Sequence, residues 1–204
     1  MCLWQAPPFS REEFAIACEL SPDLSPVERA RRFYVRARQV RTGLAQTASV
    51  GRWANCKNTS GVVSRWLGGV EQLDFIAERL LRVQIENRPA TEIIKLYDSK
   101  DTFFYCDPPY IHETRGDTSS YGFEMNDNQH KELASVLNSI EGKAAISNYE
   151  CKLMEDLYPS SKWQKVYSPE KTIHSTKDKR QEVLWVNYEI KSKTKNYLLF
   201  NEQA

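Results

Sequence analysis

Apolar positions recur at helical spacing through the first third of the chain and give way to short apolar runs after about residue 100. Two capping signatures mark helix starts. Ser10-x-x-Glu13 opens a segment through Cys18; Ser25-x-x-Glu28, with Pro26 at the first helical position, opens another through about Val40. In the second segment Phe33, Tyr34, Ala37 and Val40 repeat on a face expected to pack, while Arg29, Arg32 and Arg36 line another, extended by Arg31 and Arg38. Residues 42–69 are polar, carry Gly43, Gly51, Gly61, Gly68 and Gly69, and hold no period, which predicts an irregular loop. Val70, Leu73, Ile76, Ala77 and Leu80 then predict an amphipathic helix, and residues 82–85 a short strand.

Beyond that point the pattern alternates. A helix over 90–97 precedes a buried strand over 102–106; a helix over 127–140, with Leu133, Val136, Leu137 and Ile140 on one face, precedes a strand over 143–147. A short helix over 151–158 is followed by strands over 163–167 and 182–188. Strand-helix alternation with apolar strands predicts an α/β fold with a mainly parallel, helix-covered sheet. The last two strands, with no helix between them, are expected to pair antiparallel.

With 204 residues, 41% hydrophobic and 27% charged, the chain can bury a sizeable core as one domain, or one domain plus a small inserted module. No apolar stretch reaches the length of a membrane span, and residues 1–8 lack the regions of a signal peptide, so a cytoplasmic protein without a membrane partner is expected. Five cysteines, Cys2, Cys18, Cys56, Cys106 and Cys151, are odd in number and contain no Cys-x-x-Cys pair. Free thiols are expected, not a disulfide framework or a zinc site. His112, His130 and His174 are not spaced as ligands of one metal and read as surface or helix-start residues; no metal is expected.

A net charge of +1 conceals an asymmetry. Residues 29–66 hold nine basic residues (Arg29, Arg31, Arg32, Arg36, Arg38, Arg41, Arg52, Lys57, Arg65) and no acidic one. Phosphate backbones are the partner this run fits, with double-stranded DNA binding expected to be steeply salt-dependent; the other reading is a solvated arginine-rich face. Trp53 and Trp66, interleaved with these cations, read either as base contacts or as pins that hold the loop to the core.

The most specific chemistry lies in Asp107-Pro108-Pro109-Tyr110, at the end of the apolar run 102–106. An exocyclic adenine amine is a poor nucleophile because its lone pair is delocalised into the ring. A carboxylate at Asp107 can accept one amine proton and the Pro108 carbonyl the other, which aims the lone pair at a methyl donor. Two prolines stiffen the turn, and Tyr110 offers a flat face on which a base can stack. Location agrees with chemistry, since ligands of open α/β sheets bind beyond the carboxyl ends of the strands. Residues 111–126, with Gly116, Tyr121, Gly122 and Phe123, read as a loop able to close over a flipped nucleotide or as a plain surface loop. Ser147 and Asn148 read as part of the base pocket with Tyr110 or as strand-end caps. Residues 171–180 add four basic side chains as a second backbone contact or a solvated turn.

From about Pro7 to Tyr188 the chain resembles the Dam-like, Asp-Pro-Pro-Tyr class of DNA adenine-N6 methyltransferases. The resemblance is carried by Tyr105-Cys106-Asp107-Pro108-Pro109-Tyr110, by Asn128-Gln129-His130 with Leu133, by Ile146-Ser147-Asn148-Tyr149 and by residues 182–188. It implies transfer of a methyl group from S-adenosyl-L-methionine to N6 of a flipped adenine, with Asp107 facing both amine and donor. It also implies a Rossmann-like methyltransferase sheet with an N-terminal helical DNA-recognition module. By position, Ile85, Glu86 and Asn87 match the strand end that meets the donor's adenine. The family's Phe-x-Gly-x-Gly loop has no counterpart here: no Gly-x-Gly occurs, and Gly68-Gly69 follows a Trp-Leu pair in a basic region. The expected layout is therefore a sheet lacking its first strands, with the recognition module over 1–81, the catalytic half over 82–190 and a tail over 191–204. A second chain could supply the missing strands; the alternative function is a truncated, non-catalytic DNA-binding remnant.

Overall fold

The computed structural model describes residues 7–55, 61–114, 123–172 and 179–190. The chain divides into two compact units, Met1–Ile85 and Glu86–Ala204.

In the first unit both caps form as the sequence predicts. The Ser10 hydroxyl accepts the Glu13 N–H at 3.1 Å at the start of α1 (Arg11–Cys18), and Ser25 accepts the Glu28 N–H at 3.2 Å at the start of α2 (Pro26–Gln39). Phe14, Ala17, Val35, Val40 and Trp66 form the core, with Phe9, Tyr34, Trp53 and Val70 packed against it. The inward row of α2 is Val35 and Gln39, one helical turn apart, and Phe33 is 57% exposed, which corrects the packing face expected for it. The irregular loop expected over 42–69 contains a helix, α3 (Gly61–Glu71), followed by α4 (Leu73–Leu80) after a break at Gln72. Its glycines hide it from a periodicity reading; a Cβ at 69 would lie 2.6 Å from Arg38 Nη2 and 3.0 Å from Tyr34 Oη, both ends of side chains that can swing aside. Residues 82–85 form no strand. Val83 and Ile85 are exposed, and no neighbour among the described residues offers that backbone a ladder.

In the second unit α5 (Ala90–Tyr97) leads to β1 (Phe103–Cys106); α6 (Asp127–Leu137) leads to β2 (Lys143–Tyr149); α7 (Lys152–Leu157) leads to β3 (Gln164–Tyr167). A two-stranded ribbon, β4 (Lys171–Thr172) with β5 (Lys179–Arg180), precedes β6 (Glu182–Val186). The four-stranded sheet runs β1-β2-β6-β3. β1 and β2 are parallel, with Phe104 opposite Ala144 and Cys106 opposite Ile146, whereas β6 is antiparallel to both β2 and β3. The sheet is mixed, correcting the mainly parallel expectation. Only α6 acts as a crossover, and the ribbon returns the chain from β3 to β6 as an antiparallel neighbour, the one pairing of these strands that the sequence predicts.

One face of this sheet carries the core. Ile94, Leu133, Leu137, Ala144, Ile146, Met154, Tyr158, Trp163, Val183 and Trp185 join in it, with Phe104 and Cys106 packed alongside. Alternation sends Phe103 and Tyr105 to the other face, 54% and 61% exposed. Asp98 ties the end of α5 to the start of β2, its carboxylate accepting the N–H groups of Glu141 and Gly142, each at 3.0 Å. A Cβ at Gly142 would lie 2.8 Å from the carbonyl oxygens of Ser99 and Thr102, which are backbone and cannot swing aside. Gly142→Ala is expected to cost about 1–3 kcal/mol in urea unfolding, with Gly51→Ala, whose added methyl meets nothing within 4 Å, close to neutral.

Candidate functional site

At the carboxyl end of β1 the backbone leaves the sheet at Asp107, beside β2. Because Cys106 pairs with Ile146, the next residue on each strand brings Asp107 to Ser147. The Ser147 hydroxyl lies 2.8 Å from Asp107 Oδ1 and 3.3 Å from the Cys106 carbonyl oxygen. It has one proton to donate, and the shorter contact, to a carboxylate, is the stronger acceptor. Ser147 is buried and Asp107 exposed, so the hydroxyl holds one carboxylate oxygen from below while the group faces solvent. No other hydrogen bond to Asp107 occurs among the described residues.

Asn148, fully buried, fastens the segment after the tetrad. Its Oδ1 accepts the Ile111 N–H at 3.4 Å and the Tyr149 N–H at 2.9 Å. Its Nδ2 is buried with no hydrogen-bond partner among the described residues. Pro108, Pro109 and Tyr110 are half-buried between these two anchors. The Tyr110 ring meets Tyr149 edge-on, centroids 5.0 Å apart and planes at 89°. Burial raises the Tyr110 phenol well above its ordinary value, and the carboxylates of Glu182 and Asp107 add to this against an opposing contact with Ser147. Tyr110 is therefore a neutral aromatic surface and not a base. Burial likewise pushes the Cys106 thiol up to about 11, leaving it protonated beside the site.

Ile85, Glu86 and Asn87 do not stand at a strand end. All three are exposed; Ile85 lies in the first unit, and the Glu86 carboxylate accepts the Tyr97 hydroxyl at 3.0 Å. His112 lies 3.6 Å from Glu124, and His130, read as a surface or helix-start residue, stands in the first turn of α6 but is 2% exposed, on the inward face with Leu133, Ala134 and Leu137, which corrects the surface alternative. Among the described residues no group of three His, Cys, Asp or Glu side chains could hold a metal, and no helix is long and apolar enough to cross a membrane.

The basic run divides by what its side chains touch. Glu28 accepts from Arg31 Nε at 2.7 Å and from Arg32 Nε at 2.8 Å, and these two hydrogen bonds hold its carboxyl down at about 2. Arg31 also pairs with Glu13, and Arg32 donates to the carbonyls of Ile16 and Glu19 at the end of α1, so both lock α1 to α2. Arg38 Nη2 donates to the Arg65 carbonyl at 3.3 Å and braces α2 against α3. Arg36 is half-buried, its Nε without a hydrogen-bond partner among the described residues. Arg29, Arg41, Arg52 and Arg65 are exposed. Lys57, Gly116, Tyr121, Gly122, His174 and the tail over 191–204 lie outside the described residues. Trp66 is 3% exposed and Trp53 donates to Gln39 Oε1 at 3.2 Å, so both tryptophans pin the segment to the core. A residue that reasoning from the basic run misses is Arg11, whose guanidinium lies 4.7 Å from the Trp53 ring centroid.

Compared with known families, residues 10–180 match the family model described as D12 class N6 adenine-specific DNA methyltransferase. No curated protein matches the chain.

Proposed function

The chain belongs to the D12 class of N6 adenine-specific DNA methyltransferases, and from that premise we propose that Asp107, Pro108, Pro109 and Tyr110 form the acceptor half of a site that methylates N6 of an adenine flipped out of duplex DNA, with S-adenosylmethionine as donor. The observation that carries this reading is the 2.8 Å hydrogen bond from Ser147 to one oxygen of an exposed Asp107 carboxylate, which fixes the group and leaves its other oxygen toward solvent. That oxygen accepts one amine hydrogen and the Pro108 carbonyl accepts the second. With both N–H bonds engaged, the nitrogen becomes more nearly tetrahedral and its lone pair stands out from the ring.

Tyr110 supplies the stacking face, set edge-on against Tyr149. Ser147 and Asn148 serve the pocket by holding its frame, one through Asp107 and the other through Ile111. For the donor the fit is incomplete: segment 82–88 is exposed chain in place of a strand end, Glu86 is tied to Tyr97, and no glycine loop is present in the sequence. The reading of the acceptor side is supported by the contacts of Asp107 with Ser147 and of Tyr110 with Tyr149. The helices of the first unit are read as the DNA-recognition module and the second unit as part of a Rossmann-like methyltransferase sheet.

The test uses the full chain with plasmid DNA and S-adenosylmethionine tritiated on its methyl group, followed by digestion to nucleosides. Label in N6-methyldeoxyadenosine is the expected result. Label in a cytosine derivative, or none from DNA that the protein demonstrably binds, overturns the proposal.

A further inference from the structure

The helix α3 is held to the first unit from two directions, and both holds meet beside Arg65. Trp66, the next residue, is buried, its ring centroid 5.5 Å from that of Tyr34 and 6.4 Å from that of Phe9. From α2, Arg38 Nη2 donates to the carbonyl of Arg65 itself at 3.3 Å. The backbone at this position is thus fixed, while the Arg65 side chain is exposed. Its Nε donates to the Gly61 carbonyl at 3.2 Å, one helical turn back, which draws the guanidinium over the first turn of α3. With Nε engaged, the two Nη groups form the outward fork, and no ion pair takes them up among the described residues. The helical neighbours of Arg65, three and four positions away, are Gly61, Val62, Gly68 and Gly69, so no long side chain flanks it.

We infer that Arg65 reads a guanine: the first turn of α3 enters the major groove, and the Nη fork of Arg65 donates to O6 and N7 of that base. The inference rests on the reading of this chain as a duplex-DNA enzyme and deepens it by naming a residue that selects the sequence. A phosphate contact needs only a cation near the strand, whereas telling one base from another needs a donor pair held in a fixed place. Arg65 supplies such a pair. Its backbone is pinned at its own carbonyl, its side chain is restrained by its own helix, and its planar fork matches the two acceptors that guanine presents side by side in the major groove. The restraint acts before DNA arrives and so lowers the ordering that binding requires. An α-helix fits that groove, and helices that read it touch base edges through their N-terminal residues. Low relief around Arg65 permits the approach: a Cβ at Gly68 would meet nothing within 4 Å, so open space lies on that side of the helix.

The experiment is selection from a library of randomised duplexes by the full chain, with the bound pool sequenced and affinities for the selected duplex measured by fluorescence anisotropy. Wild type is expected to enrich a sequence with a fixed guanine. Arg65→Ala is expected to make that one position degenerate, to keep the rest of the preference, and to bind the selected duplex about ten- to a hundredfold more weakly. Arg65→Gln, whose amide matches N6 and N7 of adenine, is expected to move the preference at that position away from guanine, which separates reading from loss of fold. Circular dichroism of each variant checks the helices, and if Arg65→Ala does not fold, Arg65→Gln alone carries the test. Duplex binding by wild type with no fixed guanine, an unchanged preference in the folded variants, or a loss of affinity equal for all sequences overturns the assignment of Arg65 and leaves the enzyme reading intact. Failure of the wild-type chain to bind any duplex overturns that reading, and the assignment with it.

Discussion

Asp107→Ala is expected to lower methyl transfer by about a thousandfold or more while leaving duplex affinity unchanged, because the carboxylate is the only charged group of the tetrad and its hydrogen bond among the described residues is to Ser147. Removing one preorganised group aimed at the charge that develops in a transition state costs on the order of 10²- to 10³-fold; here the same substitution also leaves the Ser147 hydroxyl without the acceptor it faces at 2.8 Å. Asp107→Asn keeps an acceptor oxygen and loses the charge, so its rate falls between wild type and alanine. Ser147→Ala leaves the carboxylate in place and frees its rotation; kcat is expected to drop about tenfold with little change in KM for DNA, and Ser147→Thr, which restores a hydroxyl, to recover most of it. Steady-state kinetics on one duplex substrate read all four variants. Full activity in Asp107→Ala would remove the tetrad from the mechanism.

Trp185→Ala is expected to destabilise the second unit by about 3–5 kcal/mol. The ring is fully buried in the strand β6, between Ile146 on β2 and Lys165 on β3, and stands 6.4 Å from the ring of Tyr158. A cavity there cannot collapse easily, because ladders on both sides hold the backbone. Trp185 Nε1 is buried with no hydrogen-bond partner among the described residues, so Trp185→Phe removes an uncompensated donor along with some volume and is expected to cost no more than about 1.5 kcal/mol. Urea unfolding followed by circular dichroism distinguishes the two. A loss below 1 kcal/mol in the alanine variant would show that this strand does not anchor the core.

Much of the helical architecture is legible because its signals are local. Ser10 and Ser25 each cap the helix that follows, and Ala90–Tyr97 forms where its apolar spacing says it will. The failures share a cause: each depends on a partner remote in sequence. Residues 82–85 have the composition of a strand and no strand beside them among the described residues. α3 hides behind Gly61, Gly68 and Gly69, which break its apolar period. Phe33 and Val35 compete for the inward face of α2, and the packing of α1 decides for Val35. The tetrad is four consecutive residues in the sequence, whereas the Ser147 contact needs the register of β1 on β2. The basic run gives the charge correctly but not its division, since Glu13 and Glu28, which claim Arg31 and Arg32, lie outside it.

β2 joins two requirements that proteins often keep apart. Ile146 points into the core and Ser147, the next residue, meets the Asp107 carboxylate, so a slip of one position would exchange the faces of the two and part the hydroxyl from Asp107. Drift in this strand cannot loosen the hydrophobic interior without also misaiming Asp107. On the proposed reading of Asp107, reactivity and foldedness in this unit are written in the same seven residues.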